Sequence, residues 1–111
     1  DKVRGRLQRV LERLHAAPLA EPPSATELAG AAALSLGAFH RFFKRHMGQT
    51  LLDYQAQLRI GAACQQLISS ERPIGLIALE AGYGTAAHFN RQFLARKGMT
   101  PGAFRASYRR G

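Results

Sequence analysis

The run Ala38-Phe39-His40-Arg41-Phe42-Phe43-Lys44-Arg45-His46-Met47-Gly48-Gln49-Thr50 returns as His88-Phe89-Asn90-Arg91-Gln92-Phe93-Leu94-Ala95-Arg96-Lys97-Gly98-Met99-Thr100. Phe39 answers Phe89, Arg41 answers Arg91, Phe43 answers Phe93, Gly48 answers Gly98 and Thr50 answers Thr100; farther on, Tyr54 answers Phe104. Phenylalanines four positions apart share one face of a helix. A glycine after the last turn supplies the left-handed conformation that closes it. Upstream, Leu28-Ala29 corresponds to Ile77-Ala78, one residue out of step. The repeated unit reads as a short helix, a tight turn and a basic helix.

Outward from the repeat, Val3, Leu7, Val10, Leu11 and Leu14 have the spacing of one apolar face and predict a first helix over 3–16. Pro18 and Pro22-Pro23 end it. Ser24-Ala25-Thr26-Glu27 has the pattern of a capping box, in which serine satisfies a free backbone N–H and glutamate reaches back. It opens a short helix over about 25–32 with Leu28 and Ala32 inward. Ser35 caps the next helix, which runs to about His46 on Phe39, Phe42 and Phe43. The first repeated unit thus covers about 24–48. Thr50 and Asp53 open a long linker helix over about 51–69, with Leu51, Tyr54, Leu58, Ala62 and Leu67 on its inner side. Arg72-Pro73 stops it. The second unit covers about 74–98: a short helix with Ile74, Ile77 and Ala78 inward and Gly82 at its end, then a basic helix from Thr85 to Lys97. Thr100-Pro101 starts a last helix over about 101–109 carrying Phe104 and Tyr108, since proline suits the first helical position. The expectation is an all-α domain of seven helices over residues 1–111, without strands.

Composition agrees. Of 111 residues 46% are hydrophobic, enough for a core, and β-branched runs are absent. One cysteine, Cys64, rules out an internal disulfide and reads as a small core residue. The four histidines lack ligand spacing with carboxylates, so no metal or other cofactor is expected. No nucleophile–base constellation stands out, and Ser69-Ser70 and His88 lie in separate segments, so the chain does not read as an enzyme. No apolar run has membrane-spanning length and no signal peptide is visible, so no membrane partner and a cytoplasmic location are expected.

The net charge of +9 comes from 16 basic and 7 acidic residues. After Glu80 there is no acid, against six bases: Arg91, Arg96, Lys97, Arg105, Arg109 and Arg110. Arg41, Lys44 and Arg45 stand in an acid-free stretch between Glu27 and Asp53. Such a distribution suits a polyanion. A helix-turn-helix braces one helix with another so that the second lies in the major groove of duplex DNA. Small residues suit the brace: Ala29, Ala32 and Ala33 in one unit, Ala78 and Ala81 in the other. With the phenylalanines as anchors, Gly37, His40, Arg41 and Lys44 point away in the first unit. Ala86, Ala87, Asn90 and Arg91 do so in the second. Arginine can bond guanine and asparagine adenine in a bidentate way, while alanine can only touch a thymine methyl or leave room. A linker of about 20 residues spans roughly 30 Å, close to the roughly 34 Å of one DNA turn.

On these residues the chain resembles the DNA-binding domain of the AraC/XylS family of bacterial transcription regulators. The resemblance covers 24–109. The first unit carries it through Leu28-Ala29, Leu34-Ser35, Phe39, Arg41, Phe43-Lys44 and Gly48, and the linker through Tyr54, Leu58-Arg59, Ala63 and Leu67. The second unit carries most of it: Ile77-Ala78, Ala81-Gly82-Tyr83, His88-Phe89, Arg91, Phe93, Gly98-Met99-Thr100-Pro101 and Phe104-Arg105. The resemblance implies asymmetric binding of promoter DNA by two helix-turn-helix units. Gly37, His40 and Arg41, and Ala86, Ala87, Asn90 and Arg91, would face bases. Ser35, Lys44, Arg45, Thr85 and Arg96 would hold phosphates. Most members carry a separate effector-binding or dimerisation domain, and a start at Asp1 rather than Met fits a fragment lacking it. The chain departs from the family's pattern at Gly37, where many members place a large or polar reader. Ala86 and Ala87 are likewise poor in hydrogen bonds, and Leu94-Ala95 replaces a frequent basic pair.

Some residues keep two readings. Arg59 is expected to pair with Glu80 or Asp53, or to reach a phosphate. The Arg109-Arg110 tail touches phosphate or frays. His40 is expected in the groove; His15, His46 and His88 are expected to be structural or on the surface. The basic surface also suits an acidic protein partner such as an RNA polymerase subunit, in place of DNA or beside it.

Overall fold

Short polar side chains start most of the helices. The Asp1 carboxylate accepts from the Arg4 N–H (2.8 Å), Ser24 Oγ from Glu27 (3.0 Å) and Ser35 Oγ from Ala38 (3.3 Å). Thr50, Thr85 and Thr100 accept through Oγ1 from Asp53, His88 and Ala103, each at 3.1 Å. Each bond satisfies a backbone donor that the first helical turn leaves free. The computed structural model describes residues 1–109. Its helices are α1 Lys2–Ala16, α2 Ala25–Ala31, α3 Leu36–Met47, α4 Leu51–Ser69, α5 Ile74–Glu80, α6 Ala86–Lys97 and α7 Pro101–Arg109. The described residues form seven helices and no strand, as expected. The Asp1 cap was not anticipated. The Glu27 carboxylate lies 3.9 Å from the Arg13 guanidinium.

Gly48 and Gly98 close α3 and α6 in the left-handed conformation, both at φ 74°. The turns ahead of those helices also match. Leu34 N–H bonds to Ala29 C=O and Ala33 N–H to Gly30 C=O; Tyr83 N–H bonds to Ala78 C=O and Gly82 N–H to Leu79 C=O. This is the Schellman closure, with its left-handed residue at Ala33 (φ 58°) in one turn and Gly82 (φ 98°) in the other. From that residue the first turn needs only Leu34 to reach its cap at Ser35, whereas the second uses Tyr83 and Gly84 to reach Thr85. Gly84 is therefore the extra residue that puts the repeat out of step. Ala33 is exposed and belongs to the turn, not to the brace.

The chain forms two compact units, Asp1–Tyr54 and the residues from Gln55 on. In the first, Val10 and Leu14 of α1, Leu28, Ala29 and Ala32, Phe39 and Phe43 of α3, and Leu51 build the core. In the second, the core is Ile60, Ala63 and Leu67 of α4, Ile77, Ala78 and Ala81, Tyr83, and Phe89 and Phe93 of α6. The repeat extends to ring geometry. Phe43 meets Tyr54 edge-on at 5.7 Å, and Phe93 meets Phe104 edge-on at 5.4 Å. Offset and edge-to-face contacts are the favoured aromatic arrangements.

The expected inner stripe of α4 is corrected in part. Leu51 and Leu67 are buried, but Tyr54, Leu58 and Ala62 are half-exposed, and Ile60 and Ala63 take the buried places. Leu51 serves the first core while Ile60, Ala63 and Leu67 serve the second, so one amphipathic stripe does not describe the helix. Tyr108 is likewise exposed, resting its ring against Phe104 at 4.9 Å.

Candidate nucleic-acid interface

The phenylalanine pairs set the rotation of the two basic helices. Phe39 and Phe43 of α3, and Phe89 and Phe93 of α6, have no solvent exposure at all. Positions on the opposite side must then face water. Phe42, expected as a third anchor, is only half-buried and packs its ring against His46 at 4.7 Å. Gly37, His40, Arg41, Lys44 and Arg45 are exposed on α3. Ala86, Ala87, Asn90, Arg91 and Arg96 are exposed on α6. Thus every residue expected to face bases lies on the solvent side of its helix. The pairs Gly37/Ala87, His40/Asn90, Arg41/Arg91 and Lys44/Leu94 occupy matched positions.

Each stripe has its own chemistry. In α3 the Arg41 guanidinium lies back over Gly37, toward the start of the helix, the direction helical side chains take. The His40 ring lies 5.5 Å from that of Phe39. The α6 stripe has Asn90 and Arg91 between two apolar positions, Ala87 and Leu94. The Ser35 and Thr85 hydroxyls already accept from their own helices, which leaves each O–H as a donor at a helix start. Lys44, Arg45 and His46 in the last turn of α3, and Arg96 and Lys97 in that of α6, complement the helix dipole whatever else they do.

Other bases turn out to serve the fold. Arg105 Nε donates to the Leu67 carbonyl at 3.1 Å, and Arg109 donates to the Ser70 carbonyl at 2.8 Å while pairing with Glu71. These two arginines, one turn apart on α7, satisfy carbonyls at the end of α4. Arg109 is thus held in place and not frayed, and Arg110 lies outside the described residues. Arg59 carries its guanidinium 5.9 Å from the centre of the Tyr83 ring, a cation–π placement. The expected Glu80 partner instead holds Arg72 in a bidentate pair. The Tyr83 hydroxyl is buried without a hydrogen-bond partner. Burial pushes its phenol above the usual range, with Arg59 and Arg96 pulling partly back. Cys64 is half-buried against the second core, and burial raises its thiol too, against the pull of Lys97.

The helix α1, outside the repeat, is basic as well. Lys2, Arg6, Arg9 and Arg13 recur at helical spacing along it, a signal present in the sequence. Arg9 Nε donates to the Ala31 carbonyl at the end of α2, at 2.8 Å. Among the described residues no group of acids, histidines or cysteine has the arrangement of a metal site, and no helix is long and apolar enough to cross a membrane.

Known proteins share this arrangement. The family described as "Helix-turn-helix domain" matches residues 28–107. The transcriptional activator NphR of a Rhodococcus species is 31% identical over 106 residues, 95% of this chain and 30% of its own. A crystal structure of an AraC-type transcriptional regulator from Chromobacterium violaceum superposes with a TM-score of 0.84 at 26% identity, covering 95% of this chain and 93% of that one. The DNA-binding domain of AdpA, a global transcriptional factor solved in complex with a target DNA, gives 0.78 at 26% identity, covering 99% and 95%. The chain spans 26–31% of the length of three of the curated relatives it matches. The repeated unit, its two cores and these likenesses agree: the chain belongs to the helix-turn-helix family of AraC type.

Proposed function

We propose that this chain binds duplex promoter DNA in a sequence-specific way and so regulates bacterial transcription. The observation that carries this reading is the pair of matched, solvent-facing stripes, each on a helix pinned by two buried phenylalanines and each with an arginine at the same position. Arg41 and Arg91 take guanine edges, Asn90 takes adenine, and His40 supplies a further polar contact in the first unit. Gly37, Ala86 and Ala87 let the bases come close. Lys44, Arg45 and Arg96, with the Ser35 and Thr85 hydroxyls, hold phosphates. The two recognition helices enter successive major grooves without dimerisation. The likeness to a regulator domain solved on its target DNA supports this reading.

The relatives' greater length supports a second part of the proposal. The chain is the DNA-binding part of a longer, cytoplasmic regulator. Any effector binds sequence beyond these 111 residues, and contact with RNA polymerase accompanies activation.

Selection from a random duplex library at about 150 mM salt, where non-specific contacts are weakened, tests the proposal. Enrichment of a defined site is expected. Salt-sensitive binding without enrichment would reduce the chain to a non-specific binder of polyanions.

A further inference from the structure

The α6 stripe contains one large apolar residue with no part in the proposed base or phosphate contacts. Leu94 is 50% exposed, an apolar side chain on the solvent side of a basic helix. It lies one turn beyond Asn90 and Arg91, at i+4 and i+3, and two turns beyond Ala87, so all four share one face. Its counterpart in α3 is Lys44, a cation at the same helical position. The two stripes therefore differ where each leaves its central polar pair: α3 with a charge, α6 with an isobutyl group. Beside Leu94 runs an open groove of about 420 Å³ lined by Ile74, Asn90, Arg91, Thr100 and Pro101. Nothing acidic lines it, which suits an apolar group carried on a polyanion.

The major groove of DNA offers one apolar feature, the 5-methyl group of thymine. Resting on the DNA-binding reading, we infer that Leu94 is a specificity-determining residue that reads a thymine methyl next to the bases held by Asn90 and Arg91. Leucine can accept no hydrogen bond and give none, so it rewards the methyl and leaves cytosine, which lacks it, unrewarded. At this helical position the second unit's half-site then carries a thymine preference that the first unit's, with Lys44, does not.

Replacement of thymine by uracil removes that methyl and keeps the pairing edge. The 111-residue chain and its L94A and L94K variants would be titrated against the duplex selected from the random library, with each thymine in turn replaced by uracil. Wild type should lose about fourfold in affinity at one thymine, the burial of one methyl at roughly 1.4 kcal/mol per decade. At that thymine L94A should bind both duplexes alike. L94K should also lose the preference and gain about one phosphate's worth of salt dependence. Unchanged melting of both variants would separate these losses from misfolding. If wild type ignores every uracil, or L94A keeps the same preference, the assignment is overturned. If no duplex is enriched at all, DNA reading itself fails and this inference fails with it.

Discussion

The Arg41 guanidinium lies over Gly37, so close that a methyl group on that glycine would stand 3.4 Å from Arg41 Nη1. That is ordinary van der Waals contact, so alanine fits without displacing the arginine. Glycine inside a helix costs about 1 kcal/mol relative to alanine. Gly37 is the second residue of α3, so Gly37→Ala should raise stability by less than this, about 0.5 kcal/mol in urea unfolding. Its effect on DNA affinity should stay below the 1–3 kcal/mol expected for Arg41→Ala, the loss of a bidentate base contact. The space Gly37 leaves to the bases is thus expected to tolerate one methyl group, and a loss larger than that of Arg41→Ala would show that DNA fills it completely.

Ala33 and Gly82 hold the same left-handed position in the two turns, yet only one is glycine. A side chain there costs roughly 1–2 kcal/mol. Gly82→Ala should destabilise the second unit by about that much. Ala33→Gly should stabilise the first by about 0.5 kcal/mol, because glycine's freer unfolded chain offsets part of the relief. Equal and opposite shifts are not expected, and a loss of stability in Ala33→Gly would contradict the strain assigned to that turn.

The same turns show what could be read from sequence. Helix positions were legible because caps, glycines and phenylalanine spacing act within a few residues: Ser35, Thr85, Gly48 and Gly98 all do locally what their chemistry predicts. The solvent side of α3 and α6 followed from Phe39, Phe43, Phe89 and Phe93, although Phe42, read as a further anchor, is only half-buried. What failed was longer in range. Arg105 and Arg109 look like any other bases until the carbonyls of Leu67 and Ser70, 38 and 39 residues away, are seen to take them. Of the partners expected for Arg59, Glu80 is held by Arg72, and the guanidinium lies instead by the ring of Tyr83, 24 residues away. The α4 stripe misled because Leu51 answers to a different core from Ile60, Ala63 and Leu67.

Tyr83 buries a hydroxyl with no partner. Tyr83→Phe removes that unpaired group and keeps the ring under Arg59, so stability should rise by about 1 kcal/mol. The pH dependence has a definite sign. Burial raises the folded phenol above its ordinary value near 10, so the neutral form is the one the fold favours. Its contribution is complete below about pH 10 and is lost as pH rises through the folded value. Burial raises Tyr54 in the same direction. Urea midpoints measured from pH 8 upward should therefore fall above about pH 10, less steeply in Tyr83→Phe. Parallel profiles for the two proteins would place the alkaline loss elsewhere.

Lys44 is exposed in the last turn of α3 and is assigned to phosphate. Lys44→Ala should weaken specific and random duplexes by similar factors and lower the salt slope by about one. A loss confined to the selected sequence would instead make Lys44 a reader of bases.

The central claim is that Arg41 and Arg91 are equivalent heads reading different half-sites. Site selection run in parallel on wild type, Arg41→Ala and Arg91→Ala tests it most directly. The account predicts two preferred blocks about 10 base pairs apart, with Arg41→Ala blurring one and Arg91→Ala the other. A single block, or two variants that blur the same one, would contradict it.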